Sequence, residues 1–355
     1  MAVANIYQAP VVAEFGISNS QIAISNSLVL GVGIFLSPFI SKQFTSGNFK
    51  RTYVISLLIY AFAYIAYGFT TNIYIFYGLS LFVGYGYVST TIIPVSILMN
   101  NWFINKRGLA LSLALTGLGI GGVVFSQLVT FLINSIGWRQ AYMIYGGLML
   151  LIVLPIMWFL IKVKPEDMSL KPYGVEIDLE DHSGEEEQME EVGMPFSETT
   201  KKPFFIMLII GVVFVGITNN GGLGQFPPVL TNLHGVSTAA AIISVYSAVG
   251  IAGKLILGHV NDLYGIIKST IYASFLLVLS YFVMLFSENI LGAFVMAILF
   301  GLGNAIGTVL PPLITSAIYP AEQYSLAYGY VNSGIQLGMT VGSLFAASIA
   351  DLTVF

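Results

Sequence analysis

Ten stretches of this 355-residue chain are each long and apolar enough to cross a lipid bilayer, which constrains the fold more than any other feature. A helical span needs about 20 mostly apolar residues. Such runs occur at roughly 21–41, 52–70, 73–99, 108–134, 139–161, 203–230, 238–258, 267–286, 289–318 and 323–350. Short polar turns such as FTSGNFKR, NNWFINKRG and TNLHGVST separate them. Charged residues make up only 8% of the chain and hydrophobic ones 56%, against about a quarter charged in soluble domains. A soluble protein of this length could not bury so much apolar surface, whereas a bilayer can. The expectation is an all-α polytopic membrane protein, multi-pass in the cell membrane, with the lipid bilayer as its first partner.

The net charge of −4 says little about the surface, because twelve of the seventeen acidic residues lie between Glu166 and Glu198. That segment, about 163–202, has few large apolar residues and reads as a disordered acidic linker. It divides the chain into a helical bundle at 1–162 and a second at 203–355. No basic patch is available to hold nucleic acid. The absence of cysteine excludes disulfides and thiol catalysis. His182, His234 and His259 are isolated, and there is no HExxH, no phosphate loop and no pair of membrane acids. No enzyme activity, cofactor or metal is expected, and the chain is expected to be monomeric. The first residues, MAVANIYQAPVVAEFG, lack the basic start and clean apolar core of a signal peptide.

Basic residues set the orientation. Lys42, Lys50, Arg51, Lys106, Arg107, Lys162, Lys164, Lys171, Lys201, Lys202 and Lys268 all fall in alternate loops. The opposite loops hold only Arg139. By the positive-inside rule the first set, and the linker with it, is cytoplasmic. Residues 1–16 read as the outer half of a further helix, and ASIADLTVF stops where another span would begin. Spacing thus suggests twelve helices in two groups of six, with helix 1 partial and helix 12 missing.

The second half carries Gly253-Lys254, Gly258, Asp262, Gly265 and Lys268. This matches every position of G-[RK]-x3-G-x3-D-x2-G-x2-[RK], and resembles the loop signature of the major facilitator superfamily of transporters. The first half, SPFISKQFTSGNFKR, keeps Gly47, Lys50 and Arg51 but puts Ser41 in place of the acid. The stretch NNWFINKRGLALSLALTGLGIGG followed by GWRQAY is similar to the monocarboxylate transporters and oxalate–formate antiporters. The resemblance implies the two-bundle fold and a secondary transporter that works by alternating access. Gly117, Gly119, Gly121 and Gly122 are expected to let helices approach closely. Asp262 with Lys268, alongside Lys106 and Arg107, is expected to form a latch that opens and closes as the halves rock.

Lys254 is the charge that most needs explaining. It lies eight residues before Asp262 and so about 12 Å deeper at 1.5 Å per residue, close to the middle of a core about 30 Å thick. Burying it there costs about 2.5–3.5 kcal/mol on insertion scales. None of the ten runs has an internal Asp or Glu to pair with it. The counter-charge is then expected to be a substrate, and one ammonium favours a small organic monoanion such as a monocarboxylate. The resemblance implies the same role, since the carboxylate carriers use a cation here in their eighth helix. Two departures stand: Gly250 occupies the position of the acid four residues earlier, and the eleventh helix lacks a second cation. Alternatively Lys254 snorkels toward Asp262 and is structural. The chain is then a carrier of a neutral or cationic solute, or a non-transporting receptor.

Polar groups stranded in apolar runs complete the expected binding site. They are Tyr85 and Tyr87 in the fourth helix, Asn219, Asn220 and Gln225 in the seventh, and Asn304 in the tenth. Tyr328, Asn332 and Gln336, in YSLAYGYVNSGIQ, join them from the eleventh. The seventh is expected to be interrupted by the Gly and Pro residues of ITNNGGLGQFPPVL.

Overall fold

The computed structural model of the chain describes residues 4–46, 48–175 and 196–353. Its first half comprises α1 (Gln8–Phe15), α2 (Asn19–Ser46), α3 (Phe49–Tyr67), α4 (Ile73–Thr90), α5 (Ile92–Trp102), α6 (Arg107–Ile136) and α7 (Trp138–Leu148). α7 continues as wider π turns to Leu160. Three helices begin at asparagines whose side chains accept a first-turn N–H: Asn48 from Arg51, Asn72 from Tyr74 and Asn289 from Leu291.

The second half starts as one helical rod, Pro203–Met284, folded back twice at glycines with positive φ, Gly235 (φ 76°) and Gly265 (φ 80°). Only a residue without Cβ adopts that backbone cheaply. The rod is therefore three helices: α8 (Pro203–Gly235), α9 (237–264) and α10 (266–284). α11 (Ile290–Gly303), α12 (Leu310–Ile318) and α13 (Ala321–Thr353) follow. Among the described residues, eight helices are long and apolar enough to cross a membrane. One of these, Ser237–Met284, divides at Gly265, and α13 runs beside α2, so ten membrane-length runs remain where the sequence has ten. Large apolar side chains such as Phe35, Phe62, Phe82, Phe131 and Phe275 stay exposed along the outer faces, as lipid contact requires.

Two helices break, and not where the sequence suggested. α4 passes to α5 at Thr91 (φ −107°, ψ −112°), and α11 passes to α12 through a 3-10 turn at Asn304–Gly307. Proline follows each break, Pro94 in one and Pro311 and Pro312 in the other. A proline lacks an N–H and its ring clashes with the carbonyl four residues earlier, so the fault appears one turn upstream. The expected interruption of the seventh helix is absent: α8 keeps helical dihedrals through Pro227 and Pro228. Gly221, Gly222 and Gly224 precede those prolines and have no Cβ to crowd the displaced carbonyls.

The two ends of the acidic segment are docked. Tyr173 donates its N–H to Trp102 and accepts from Ile104 and Asn105, while Phe196 is buried against Tyr319 and Tyr330. Residues 176–195, the rest of the segment read as a disordered linker, lie outside the described residues.

At the end remote from the linker, Arg139 joins three elements. Its Nε and Nη2 donate to Glu14 at 3.0 and 2.8 Å, and its Nη1 donates to the Gly68 and Thr70 carbonyls. Trp138 Nε1 donates to the same carboxylate. The hydrogen bonds from Arg139, helped by that from Trp138, hold the Glu14 carboxyl below the usual carboxylate range. A carboxyl with a lowered folded-state pKa stabilises above its unfolded pKa of about 4.3. That stabilisation disappears as pH falls through the lowered value. Because the pair is partly exposed, the effect is small. Glu14→Gln should lower the unfolding midpoint by about 1–2 °C at pH 7 and leave it unchanged below the acid transition, as differential scanning fluorimetry would show.

Candidate functional site

The halves meet along two seams, α6 against α9 and α2 against α13. A single register relates them. Gly33 and Lys254, Ser37 and Gly258, and Ser41 and Asp262 each stand 221 residues apart, as do Gly108 and Gly329, and Leu115 and Gln336. The contacts repeat with the register. A Cβ on Gly108 would lie 2.5 Å from the Gly258 carbonyl and 2.6 Å from Asp262 Oδ1. One on Gly329 would lie 3.0 Å from the Ser37 carbonyl and 2.9 Å from Ser41 Cβ. At both crossings the helices touch where no side chain fits, the close approach that small residues permit in bilayers. The expected glycine set contributes less: Gly117 has open space around it and Gly121 only a loose neighbour, while Gly119 meets Ile251.

Asp262 closes the linker end of the first seam. Its two oxygens accept the N–H groups of Gly108 and Leu109, both at 2.8 Å. These are orphan donors at the start of α6, where the helix dipole also favours a negative charge. The latch is thus a carboxylate on a helix N-terminus. Lys268 takes no part in it and lies over the ring of its own neighbour Tyr264. Lys106, with left-handed backbone (φ 53°), and Arg107 lead into that N-terminus. In the second seam Ser41 replaces the acid, and its carbonyl accepts from Ser325 Oγ at 2.9 Å. Gly253 works within the second half, packing against the Gly301 and Leu302 backbone, and Gly265 makes the turn that ends α9.

Lys254 lies in the first seam, two turns deeper than Asp262. Its Nζ donates to the Leu115 carbonyl across the halves at 3.4 Å. It does not reach back to Asp262, and among the described residues no carboxylate forms an ion pair with it. In the register the matching place on the other seam is Gly33, over which Gln336 packs. Gln336 is 6% exposed and its Oε1 has no hydrogen-bond partner among the described residues.

The other expected site residues do not all gather around Lys254. Asn332 is buried in the second seam and donates to Ser37 Oγ at 2.9 Å. Tyr328 is buried beside it, stacked on Tyr324. Asn219 and Asn304 bond to each other inside the second half, and Asn220 donates to the Met339 carbonyl. Tyr85 sits between Ser56 and Gln43 in the first half. The side chain of Gln225 lies outside the described residues. Tyr87 lines a recess in the half of the first bundle away from the linker. Tyr7, Tyr60, Tyr64, Tyr67 and Asn26 line it too, and Lys254 does not. This recess and the deep cation are therefore separate features. The sequence reading missed Gly33, Ser37, Gly108, Leu115 and Gly329, and the 221-residue register is the signal that would have found them.

The profile of the Major Facilitator Superfamily matches residues 1–343. The chain belongs to that superfamily. It is 27% identical over 138 residues to human monocarboxylate transporter 14, covering 39% of this chain and 27% of the relative. It is 22% identical over 326 residues to the uncharacterized transporter ESBP6 of Saccharomyces cerevisiae, covering 89% of this chain and 46% of that one. The chain thus spans from about a quarter to just under half the length of these two relatives. The crystal structure of FucP, a superfamily transporter in the outward conformation, superposes with a TM-score of 0.66 at 15% identity. That superposition covers 99% of this chain and 88% of FucP, and establishes the fold alone.

A superfamily chain without cysteine gives a clean test of the latch. Ser112 is fully buried beneath Gly258. An exposed carboxylate at a helix N-terminus contributes about 1 kcal/mol. In a Ser112→Cys background, Asp262→Ala should therefore raise the maleimide labelling rate about fivefold. An unchanged rate would show that the carboxylate does not hold the seam shut.

Proposed function

We propose that this chain is a carrier rather than an enzyme: a secondary transporter that moves a small organic anion, a monocarboxylate, across the cell membrane by alternating access. The observation that carries this reading is the Lys254 ammonium, which crosses the seam between halves to a backbone carbonyl and meets no carboxylate among the described residues. A cation left this deep costs about 2.5–3.5 kcal/mol, and one long hydrogen bond to a neutral acceptor offsets only part of that. A visiting monoanion would supply the remainder and leave no net charge. The likeness to monocarboxylate transporters, partial as it is, points the same way. The run of basic loops at the linker end, where Asp262 lies, supports a cytoplasmic position for it. The seam is closed at that end here, and its release would expose Lys254 from the cytoplasm.

A second reading has one observation of its own. The tyrosine-lined recess of the first half carries neutral hydroxyls and amides and excludes Lys254, as a carrier of a neutral solute would have it. Uptake by the reconstituted chain separates the two. Labelled lactate, pyruvate, formate and acetate should enter vesicles, and Lys254→Gln should reduce the preferred anion's uptake at least tenfold, about 1.4 kcal/mol. Equal uptake by the native protein and the variant would sink the anion reading and leave the neutral-solute one.

A further inference from the structure

We propose that the closed linker-side gate holds a second anion site, centred on Arg107 and separate from Lys254, which takes a small monoanion: a halide or a short carboxylate. The site is a small cavity between the halves. Ser96 and Asn100 of α5 and Arg107 of α6 line it from the first half; Ser316 of α12 and Tyr324 of α13 line it from the second.

The wall carries donors with spare capacity. Asn100 is 6% exposed and its Nδ2, which can only donate, has no partner among the described residues; Ser96, 2% exposed, lies beside the Tyr324 and Tyr328 hydroxyls. Ser316 spends its hydroxyl on the Leu313 carbonyl. Arg107 donates through Nε to the Phe103 carbonyl at 2.9 Å. No carboxylate forms an ion pair with it among the described residues. Asp262 is the acid that acts on Arg107 electrostatically, but both its oxygens are occupied by the Gly108 and Leu109 N–H groups. With Lys106 and the α6 N-terminus added, the local balance stays positive.

A buried donor left without an acceptor is destabilising. A small polar cavity holds either a water or an ion. Arg107 and Asn100 Nδ2 present only hydrogens to the occupant; a water could accept from them but would have to turn its own hydrogens toward Ser96 or Tyr324. An anion accepts from every side and neutralises the guanidinium. Because both halves build the wall, an occupant binds only while the gate is shut. It would therefore favour the linker-closed state by mass action. This inference is independent of what Lys254 binds.

The test is thermal unfolding of the full chain in detergent, titrating chloride or acetate against gluconate at constant ionic strength. Either anion or both should raise the midpoint saturably, by about 2 °C or more. A response to acetate alone assigns the site to carboxylates, and a response to chloride shows that a simple halide suffices. Arg107→Gln should abolish the shift, and Asn100→Leu should weaken it several-fold even if the first variant fails to fold. Lys254→Gln should keep the chloride response. Chloride and acetate behaving like gluconate would mean that the cavity holds water, and would overturn the proposal. So would a response lost with Lys254→Gln but intact in Asn100→Leu.

Discussion

The two halves of this protein touch backbone to backbone, at Gly108 against Gly258 and at Gly329 against Ser37, and everything else in the seams follows from that approach. Where helices come this close there is no room for side chains, so the contact has little apolar area and its dispersion energy falls off steeply with separation. Such an interface is either fully made or lost; there is no half-open version with most of the contact retained. That is the physical requirement for two bundles that rock as rigid bodies. The apolar packing on either side, Ile40 and Phe44 against Tyr324 and Tyr328 in one seam and Leu111 and Leu115 against Leu257 in the other, depends on the same closure.

The seams have the same geometry but different chemistry. Asp262 caps a helix across the first, whereas Ser41 in the second leaves only a hydroxyl-to-carbonyl contact. Lys254 enters the first at the depth where the second has Gly33 beneath Gln336. A charged contact in one seam and a neutral one in the other gives the gate a single electrostatic side. The seam that carries Asp262 also carries the deep cation, so on the proposed reading its release and the exposure of Lys254 are one event.

Much of this was legible in the sequence. Length and hydropathy fix the ten runs because a bilayer demands about 20 apolar residues wherever the chain crosses it. The depth of Lys254 and the lack of an intramembrane partner follow from counting residues. The placement of the breaks did not follow. Proline and glycine are equally visible in α8 and near Thr91, and whether a helix breaks depends on neighbours that re-satisfy the freed carbonyls. Convergence of the site was also misjudged. A polar residue in an apolar run has two outlets, a cavity or another helix. Asn219, Asn304, Asn220 and Asn332 all took the second. Spacing within one helix cannot tell these apart. Comparison of the halves at a fixed offset does better, because it pairs each residue with the one doing the same geometric job.

That pairing shows where recognition chemistry is concentrated. Lys254 and Gln336 are the two polar side chains at matching depth in the two seams, and both belong to the second half. Their counterparts in the first half are Leu115, which offers a carbonyl, and Gly33, which offers no side chain. The first half instead carries the tyrosine-lined recess, a wall of aromatic faces and phenols with no formal charge. On the proposed reading, a carboxylate head is gripped by one bundle and the rest of the molecule rests on the other. A solute held by both bundles favours the closed seams over either open state. One held by Lys254 alone stays with the second half as the first swings away. On that reading the strength of grip on the first half sets how readily the load is released, and the uncharged wall of its recess keeps the grip weak.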